Sequence, residues 1–302
     1  MKAVLAVGVD AGGSSTVVAF SRAGTYQGAI AGGPANPSSR GIAAAAQTIA
    51  SAVRAIAGSE DPAAIYVGAA GAGRPESAMQ LEAALRGAFP AAANLAVASD
   101  VETALRAAVP NGPGVVVIAG TGAVAYAENG ELRAQVGGDG YLLGDEGSGF
   151  ALGFHAVKRL ARALDGRAAF DETTALVQEE FGVSDRDGLL AAVYGGPLDV
   201  ARVASLAPKL IELARDGKSE AARSVGAAAQ TLGEMTRLAA EQAGLARGST
   251  AVVFAGGLLR DDNRLSSLLR THVRGALPGA TILRSGDEPV RAALRFAEAM
   301  LG

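Results

Sequence analysis

One pattern of strands and turns occurs twice in this sequence, and the duplication restricts the chain to few folds. Each copy contains an apolar run, a glycine-rich turn with hydroxyl side chains, a second apolar run, a short turn and a third apolar run. The two copies occupy residues 4–32 and 114–136. We therefore expect two similar domains, each built on its own sheet.

The segments that follow the two copies also match each other. After the first copy, the expected helices cover residues 38–57, 75–88 and 101–108, and the expected strands cover residues 65–71 and 95–99. After the second copy, the expected helices cover residues 148–164, 262–274 and 290–301, and the expected strands cover residues 250–257 and 280–284. Antiparallel hairpins followed by alternating helices and strands predict an α/β fold with two mixed five-stranded sheets, each flanked by helices.

The two domains are expected to meet near the Pro-Asn-Gly-Pro-Gly stretch at residues 110–114. This boundary gives an N-terminal domain at residues 1–110 and a C-terminal domain at residues 111–302, with a helical insertion at residues 165–246. The last helix, at residues 290–302, is a candidate to pack on the first domain. Domain interfaces are common ligand sites, so a cleft is expected between the two domains.

Composition argues against several kinds of site and partner. The 302-residue chain contains no cysteine, which excludes disulfides and cysteine-held iron–sulfur clusters, and it has only two histidines, His155 and His272. The formal net charge is −3 and there is no basic stripe, so we expect no nucleic-acid partner. No apolar segment approaches the roughly 18 residues of a membrane span, and the first apolar run is too short for a signal peptide. These features predict a cytoplasmic protein without a membrane partner.

Both glycine-rich turns are candidates for phosphate binding. Glycines let backbone amides approach an anion, and hydroxyl groups add further donors. The first turn contains Gly12, Gly13, Ser14, Ser15 and Thr16, and the second contains Gly120, Thr121 and Gly122. Asp10 precedes the first turn, and a carboxylate beside phosphates suits a bound Mg²⁺ ion. Two ordinary tight hairpins are the alternative, but their recurrence at equivalent places favours phosphate binding.

Two further candidates follow strand ends. Gly256 and Gly257 end an expected strand, where they could admit a nucleoside or simply form a helix-entry turn. Asp100 follows the strand at residues 95–99, and the neighbouring Ser99 and Glu102 fit a helix-capping box that does not need it. A carboxylate at a strand end is suited to accept a proton from a substrate hydroxyl group. The start of the next helix is expected to keep this carboxylate ionised.

Residues 137–153 combine many glycines with acidic and hydroxyl side chains. Ser148 is explained as a helix cap, but Asp145 is not, and carboxylates can hold polyhydroxylated ligands through hydrogen bonds. Asn36 is a second candidate for such a ligand, although Asn-Pro is also a plain turn signal.

These residues together resemble the N-acetylglucosamine kinase and BadF/BadG/BcrA/BcrD ATPase family, which belongs to the actin, sugar kinase and Hsp70 superfamily. DAGGSST resembles the first phosphate motif of the family, AGTG the second and VVFAGGLL the adenosine motif, and GDEGSG is the most family-specific element. The resemblance covers nearly the whole chain. It implies a duplicated actin-like, ribonuclease H-like fold and a two-domain enzyme that uses ATP and Mg²⁺.

The resemblance also implies roles for individual residues. Ser14 and Thr121 would contact phosphate, and Gly256 and Gly257 would line the nucleoside. Asp100 would act as the base that deprotonates the sugar, with the 6-hydroxyl group of N-acetylglucosamine or glucosamine as the implied acceptor. The implied sugar contacts are Asn36, Asp100, Gly138, Asp139, Gly140 and Asp145.

The chain departs from the animal N-acetylglucosamine kinases at the sugar side. Those kinases have Gly-Trp-Gly where this chain has Gly-Asp-Gly around Asp139, and polar residues where it has Ala123 and Val124. The pocket for an acetamido group is therefore expected to differ. One hypothesis is that Asp139 pairs with the ammonium group of free glucosamine.

These features bear on three possible functions. An amino-sugar kinase is favoured, because the candidate base and both phosphate turns are intact. An ATPase that energises electron transfer to a dehydratase, as some relatives are, would need cysteines that this chain lacks. A sensor that binds a sugar without turnover remains the alternative. The insertion at residues 165–246 is a candidate homodimer face, although its alanine-rich pattern would equally serve internal packing.

Overall fold

The computed structural model describes residues 4–13, 15–216, 219–285 and 288–302. The chain forms two compact units. One contains residues 1–110 together with residues 285–302, and the other contains residues 111–284.

The N-terminal unit is built on one mixed sheet. Its strands are β1 (Leu5–Ala11), β2 (Thr16–Arg22), β3 (Thr25–Gly32), β4 (Ala64–Ala69) and β5 (Asn94–Ser99). Its first four helices are α1 (Pro37–Arg40), α2 (Ile42–Ala57), α3 (Pro75–Ala88) and α4 (Asp100–Ala108). The strand order is β3-β2-β1-β4-β5, in which β1 is antiparallel to β2 and parallel to β4.

The C-terminal unit repeats this arrangement. Its strands are β6 (Gly114–Ala119), β7 (Ala123–Asn129), β8 (Leu132–Gly137), β9 (Thr250–Ala255) and β10 (Ala280–Arg284). Its helices are α5 (Gly149–Leu164), α6 (Glu172–Phe181), α7 (Arg186–Tyr194), α8 (Val200–Ala204), α9 (Ala207–Leu213), α10 (Glu220–Gln242) and α11 (Arg264–Ala276). The order β10-β9-β6-β7-β8 corresponds strand by strand to that of the first sheet. The prediction of two mixed five-stranded sheets flanked by helices is confirmed.

The last helix, α12 (Pro289–Ala299), packs on the N-terminal sheet. It crosses β1 at Gly8, where a β-carbon would overlap the backbone of Leu294. Tyr66 on β4 contacts Phe296 of the helix with ring centroids 5.0 Å apart. The absence of a side chain at Gly8 therefore sets how closely this helix approaches the sheet.

The opposite face of the same sheet is covered by α2 and α3. Val7 and Val9 of β1 are fully buried there, together with Ile49 of α2 and Leu81 of α3. A strand that is covered on both faces needs apolar residues in succession. This explains why the first strand reads as an unbroken apolar run up to Asp10.

Helix α10 forms the centre of the C-terminal core. It is 23 residues long, and Val225, Leu232 and Ala239 along one side are fully buried against the sheet and the neighbouring helices. The other side carries charged residues such as Arg237 and Glu241, which form an ion pair at 2.6 Å. Across the described ranges, no helix has both the length and the apolar character that a bilayer span requires.

One helix prediction was wrong. Residues 38–57 do not form a single helix, because the chain breaks at Gly41, whose φ of +80° is not helical. Asn36 caps the short α1, and α2 begins after the break at Ile42. Glycine adopts positive φ without steric penalty, so it readily separates two helices.

Candidate active site

Asp10 and Asp100 lie at the same edge of the N-terminal sheet. Asp10 is the penultimate residue of β1, and Asp100 follows the last residue of β5. Because β1, β4 and β5 are parallel neighbours, Ala11 pairs with Ala69, and Ala69 pairs with Ser99. Ligands of open α/β sheets bind outside the carboxyl ends of the strands. The structure thus brings the predicted metal ligand and the predicted base to the edge where a ligand is expected.

Burial perturbs both carboxyl groups. Desolvation, with a smaller contribution from the negative charge of Asp100, raises the pKa of Asp10 to about 6. Desolvation also raises the pKa of Asp100, although its Oδ1 accepts a hydrogen bond from the Val101 amide at 3.0 Å, which favours the ionised form. Desolvation therefore outweighs the support that the start of α4 was expected to give the charged carboxylate.

The segment around Asp100 is fixed by a helix cap. The Ser99 hydroxyl accepts a hydrogen bond from the Glu102 amide at 3.1 Å, which is one half of the predicted capping box. The Thr103 hydroxyl donates to the Ser99 carbonyl at 2.8 Å. These contacts hold the first turn of α4, so the position of the Asp100 backbone is set by the fold.

The acidic pair fits a cation that is shared with phosphates. Within the described residues, no group of three or more histidine, aspartate or glutamate side chains is placed to hold an ion by itself. Mg²⁺ is usually bound by one or two carboxylates together with phosphate oxygens and water. A positive charge beside Asp10 would also relieve its repulsion with Asp100. This donor set suits Mg²⁺ bound with a nucleotide, and the assignment of Asp10 as its ligand remains a prediction.

The first glycine-rich turn connects β1 to β2. The Gly12 amide donates to the Ser15 carbonyl at 2.8 Å, and the Gly12 carbonyl accepts from the Ala35 amide at 3.1 Å. Gly13 and Ser15 are exposed, and no described atom lies within 4 Å of the place that a β-carbon on Gly13 would take. Ser14, a predicted phosphate contact, lies outside the described residues. The turn is therefore anchored at Gly12, and Gly13 and Ser15 are open to solvent.

Thr16 differs from the rest of this turn. It is the first residue of β2 and is fully buried, and its hydroxyl has no hydrogen-bond partner among the described residues. Buried polar atoms without a partner are uncommon in native proteins. The Thr16 hydroxyl is therefore buried within the N-terminal unit, and a contact with phosphate remains a prediction.

One side-chain atom of Asn36, Oδ1, caps helix α1. Its Oδ1 accepts hydrogen bonds from the amides of Ser38 at 2.8 Å and Ser39 at 3.3 Å. The same oxygen packs against Gly71, which has a φ of +84° and no room for a β-carbon. A sugar contact by Asn36 would therefore use its Nδ2 group.

Gly71 was missed by the sequence analysis. The pattern placed it at the end of a strand, whereas β4 ends at Ala69 and Gly71 belongs to the following turn. Its carbonyl accepts a hydrogen bond from the Ser38 hydroxyl at 3.1 Å, which ties this turn to the segment that contains Asn36. The Gly-Ala-Gly sequence at residues 71–73 was the available signal for a turn.

The second glycine-rich turn, Gly120–Gly122, connects β6 to β7 in the C-terminal unit. It is closed by a hydrogen bond from the Gly120 amide to the Gly122 carbonyl at 2.9 Å. The carbonyls of Gly120 and Thr121 accept hydrogen bonds from the first amides of α5, those of Gly149 at 2.7 Å and Phe150 at 3.1 Å. The turn therefore uses its carbonyls to hold the helix.

Asp145 lies against this second turn. It is 9 % exposed, and its Oδ1 accepts a hydrogen bond from the Ala123 amide at 3.2 Å. Desolvation raises its pKa, opposed by that hydrogen bond and aided by the charges of Glu146 and Asp139. Asp145 has a left-handed backbone with a φ of +61°. Positive φ is uncommon outside glycine, although aspartate adopts it more readily than most residues. The carboxyl group of Asp145 is held against the turn by its hydrogen bond to Ala123 and by its packing on Gly122.

The loop that precedes Asp145 is mostly exposed. The side chain of Val124 packs against Gly138, and a β-carbon added at Gly138 would lie only 3.0 Å from Val124 Cγ2. Asp139 is exposed, and its Cβ would lie 3.3 Å from a β-carbon at Gly144. The predicted sugar contacts Gly138, Asp139, Gly140 and Asp145 all lie in the segment between β8 and α5 of the C-terminal unit.

Gly256 and Gly257 follow β9, and glycine occurs at the two positions for different reasons. Gly256 has a φ of +87°, and a β-carbon there would overlap the carbonyl oxygen of Ala119. For Gly257 and Gly120, no described atom lies within 4 Å of the place that a β-carbon would take. The fold requires glycine at position 256, whereas the bare backbone at positions 257 and 120 leaves room for a ligand.

Proteins of known family are similar to this chain over most of its length. The sequence model of the BadF/BadG/BcrA/BcrD ATPase family matches residues 7–297. The chain is similar to an N-acetylmuramic acid/N-acetylglucosamine kinase of Clostridium acetobutylicum, with 27 % identity over 225 residues, which are 74 % of this chain and 73 % of that protein.

Solved structures show the same architecture. A protein from Chromobacterium violaceum, provisionally named an N-acetylglucosamine kinase, is 26 % identical with a TM-score of 0.77, over 98 % of this chain and 99 % of that one. A ROK family glucokinase from Streptomyces griseus, solved with glucose and AMPPNP, is 18 % identical with a TM-score of 0.62, over 98 % of this chain and 99 % of that one. At that identity the second likeness shows the fold alone.

Proposed function

Because the chain belongs to the BadF/BadG/BcrA/BcrD ATPase family, we propose that it is an ATP-dependent kinase that phosphorylates a hydroxyl group of an amino sugar. The similarity to kinases of N-acetylglucosamine supports this activity. The observation that carries the proposal is the placement of Asp100 beside Asp10 at the carboxyl edge of the N-terminal sheet. Phosphoryl transfer needs such a pair, one group for the nucleophile and one for the cation.

Asp100 is proposed as the general base. Its raised pKa brings its proton affinity closer to that of the hydroxyl group it must deprotonate, while it stays largely ionised above that pKa. The cap on α4 fixes its backbone, so the carboxylate is held in one place. Asp100 would orient the sugar hydroxyl for attack and accept its proton as the new phosphate ester forms.

ATP is proposed to bind through the glycine-rich turns. The amides of Gly13 and Ser15 in the first turn, and of Thr121 and Gly122 in the second, would donate to phosphate oxygens, whereas the amides of Gly12 and Gly120 close their own turns. Gly257 leaves room for the nucleoside. Mg²⁺, which Asp10 would hold, supplies neutralisation of phosphate charge when it is bound.

The acceptor is proposed to be the 6-hydroxyl group of N-acetylglucosamine or glucosamine. The candidate contacts are Asn36 through its Nδ2 group, Asp139 and Asp145. Asp139 is exposed and therefore available to a ligand. An Asp139→Asn variant that kept a full preference for glucosamine over N-acetylglucosamine would exclude the pairing of Asp139 with an ammonium group.

The proposal is tested by ADP release from ATP and Mg²⁺ in the presence of single sugars. The set comprises glucosamine, N-acetylglucosamine, N-acetylmannosamine, N-acetylmuramic acid and glucose. Strong stimulation by one amino sugar is the expected result. If the protein binds ATP but no sugar increases ADP release, a sugar-binding sensor is the better description.

The role of Asp100 is tested with Asp100→Asn, which keeps an oxygen for the Val101 amide and removes the charge. We expect kcat to fall about 10²–10⁴-fold, the usual contribution of general-base catalysis, with ATP binding retained. Glu102→Gln is the matched control, because it removes a carboxylate from the same helical turn. A loss below about tenfold in Asp100→Asn would remove Asp100 from this role.

A further inference from the structure

Asp145 contacts both sides of the second glycine-rich turn. Its Oδ1 binds the amide of Ala123, which is the first residue of β7 after the turn. Its main-chain carbonyl accepts a hydrogen bond from the Ser148 amide at 3.0 Å. Ser148 in turn caps α5, and the first amides of α5 bind the carbonyls of Gly120 and Thr121. One residue thus links the strand that leaves the turn to the helix that holds it.

The carboxylate is also packed tightly against the turn. A β-carbon on Gly122 would lie 2.9 Å from Asp145 Oδ2 and 3.1 Å from Asp145 Oδ1. Distances under 3.0 Å are not compatible with a real side chain, so the carboxylate fills the space that the glycine leaves open. The turn cannot relax toward Asp145 without a clash.

We propose that Asp145 is a positioning residue that holds the Gly120–Gly122 turn in the shape that binds the phosphates of ATP. The hydrogen bond to Ala123 fixes the peptide plane that follows Gly122, and the packed carboxylate supports the turn from behind. The inference rests on the proposed kinase function and deepens it. It assigns Asp145 to nucleotide binding, whereas the family resemblance implied only a contact with the sugar.

The two roles differ in what they predict without sugar. The dissociation constant of Mg²⁺ and a non-hydrolysable ATP analogue is measured by calorimetry with no sugar present. For Asp145→Ala we expect a rise of about tenfold, because a hydrogen bond to a charged group is lost and the turn loses its support. Asp145→Asn keeps an acceptor for Ala123 and is expected to stay within about twofold of the wild type. Glu146→Gln, at the exposed neighbouring carboxylate, is the control and is expected to bind as the wild type does.

A second substitution tests the packing directly. Gly122→Ala places a methyl group where the carboxylate lies, so it is expected to weaken binding of the analogue in the wild-type background. In the Asp145→Ala background the methyl group has room, and the added effect of Gly122→Ala is expected to be smaller. Equal effects in both backgrounds would show that the two residues do not act on each other.

Hydrogen exchange separates this inference from the kinase proposal, because it needs no nucleotide. Amides of the peptide that spans residues 120–124 are expected to exchange faster in Asp145→Ala than in the wild type or in Glu146→Gln. Unchanged exchange together with unchanged affinity for the analogue would overturn the positioning role. Faster exchange in a protein that binds no nucleotide would show that Asp145 holds the turn but would reject both the kinase and the link between this turn and ATP. If Asp145→Ala does not fold, the Gly122→Ala variant carries the same measurements, and unchanged exchange and affinity there would overturn the inference.

Discussion

The Asp10 carboxyl group shows how one residue can oppose folding in order to serve a ligand. Its pKa in the folded protein is about 6, above the 3.8 of a solvent-exposed aspartate, chiefly because it is buried. A carboxyl group that binds its proton more tightly in the folded state stabilises the fold at low pH. That contribution is complete below about pH 4 and is lost as the pH rises through about 6.

Replacing Asp10 by asparagine is therefore expected to stabilise the metal-free protein above about pH 6. The gain has an upper bound of about 3 kcal/mol, from about 1.4 kcal/mol for each unit of pKa, and disappears near pH 4. Thermal unfolding in the presence of a chelator, followed from pH 4 to 8, measures it.

Asp61→Asn is the control of opposite sign. Hydrogen bonds from the Ala91 amide and from Arg54 lower the pKa of Asp61, so its ionised form stabilises the fold. Its replacement is expected to lower Tm above about pH 4 and to matter less in more acidic solution. If both variants shifted Tm in the same direction at neutral pH, the burial argument for Asp10 would fail.

The two glycines after β9 are expected to respond differently to alanine. Gly256→Ala is expected to lower the free energy of unfolding by about 1–3 kcal/mol, because of its positive φ and the overlap with the Ala119 carbonyl. Gly257→Ala is expected to change stability by less than about 0.5 kcal/mol but to raise KM for ATP. Denaturant unfolding and initial rates measure the two effects. A destabilised Gly257→Ala variant with normal KM would contradict the assignment of open space to the nucleotide.

At the scale of single residues, the sequence predicted the location of a side chain correctly where that location follows from its place along a strand. Asp10 and Asp100 could be placed at strand ends, because an acidic residue that closes an apolar run has few other locations. It did not reveal that Asn36 Oδ1 is used by α1 or that Asp145 packs on Gly122. Such contacts join residues that are distant in sequence, and no local pattern encodes them.

At the scale of elements, strand pairing was predictable but the details of the turns were not. Ala23 and Gly24 both have positive φ, as a type I′ hairpin requires. The equivalent hairpin places Gly130 and Glu131 between the paired residues Asn129 and Leu132, and only Gly130 has positive φ. An Asn-Gly pair usually occupies both central positions of a type I′ turn. Here Asn129 is the last paired residue of β7, so Gly130 takes the first central position and Glu131 the second.

The contact between α12 and β1 yields an element-scale prediction. Gly8→Ala is expected to lower the free energy of unfolding by about 3 kcal/mol or more, because the added methyl group overlaps the helix backbone, which cannot move as a side chain can. Denaturant unfolding at pH 7 measures this loss. Gly13→Ala is the control, since its β-carbon would have no described neighbour within 4 Å. Equal stability of the two variants would contradict the close approach of α12.

At the scale of the whole molecule, the duplication was the decisive signal. Two copies of one pattern predicted two sheets, and both sheets have the same strand order. The position of α12 depends on a match between its apolar face and the small residues Ala6, Gly8 and Ala19. Because alanine and glycine are frequent throughout this chain, these three small residues do not stand out in the sequence. The packing of the last helix on the first domain could therefore be proposed only as a possibility.

A chain that ends at Arg284 is expected to keep the C-terminal unit folded and to lose cooperative folding of the N-terminal unit. Without α12, the face of the sheet around Ala6 and Ala19 loses the apolar side chains of Val290 and Leu294 that cover it, so this face is exposed to water. Limited proteolysis followed by mass spectrometry is the measurement. Cleavage within residues 4–110 but not within residues 111–284 is expected, and equal resistance of both segments would contradict the division into units.

The same feature affects the order in which the protein is completed during synthesis. Domains usually fold in the order in which they leave the ribosome, with the N-terminal one first. Here β1 requires α12, which is translated after residues 111–284, and those residues form one continuous unit. The N-terminal sheet must therefore remain partly uncovered until α12 has been synthesised, after all the residues of the C-terminal unit. A chain released before residue 285 would hold a complete C-terminal unit and an N-terminal sheet that lacks α12.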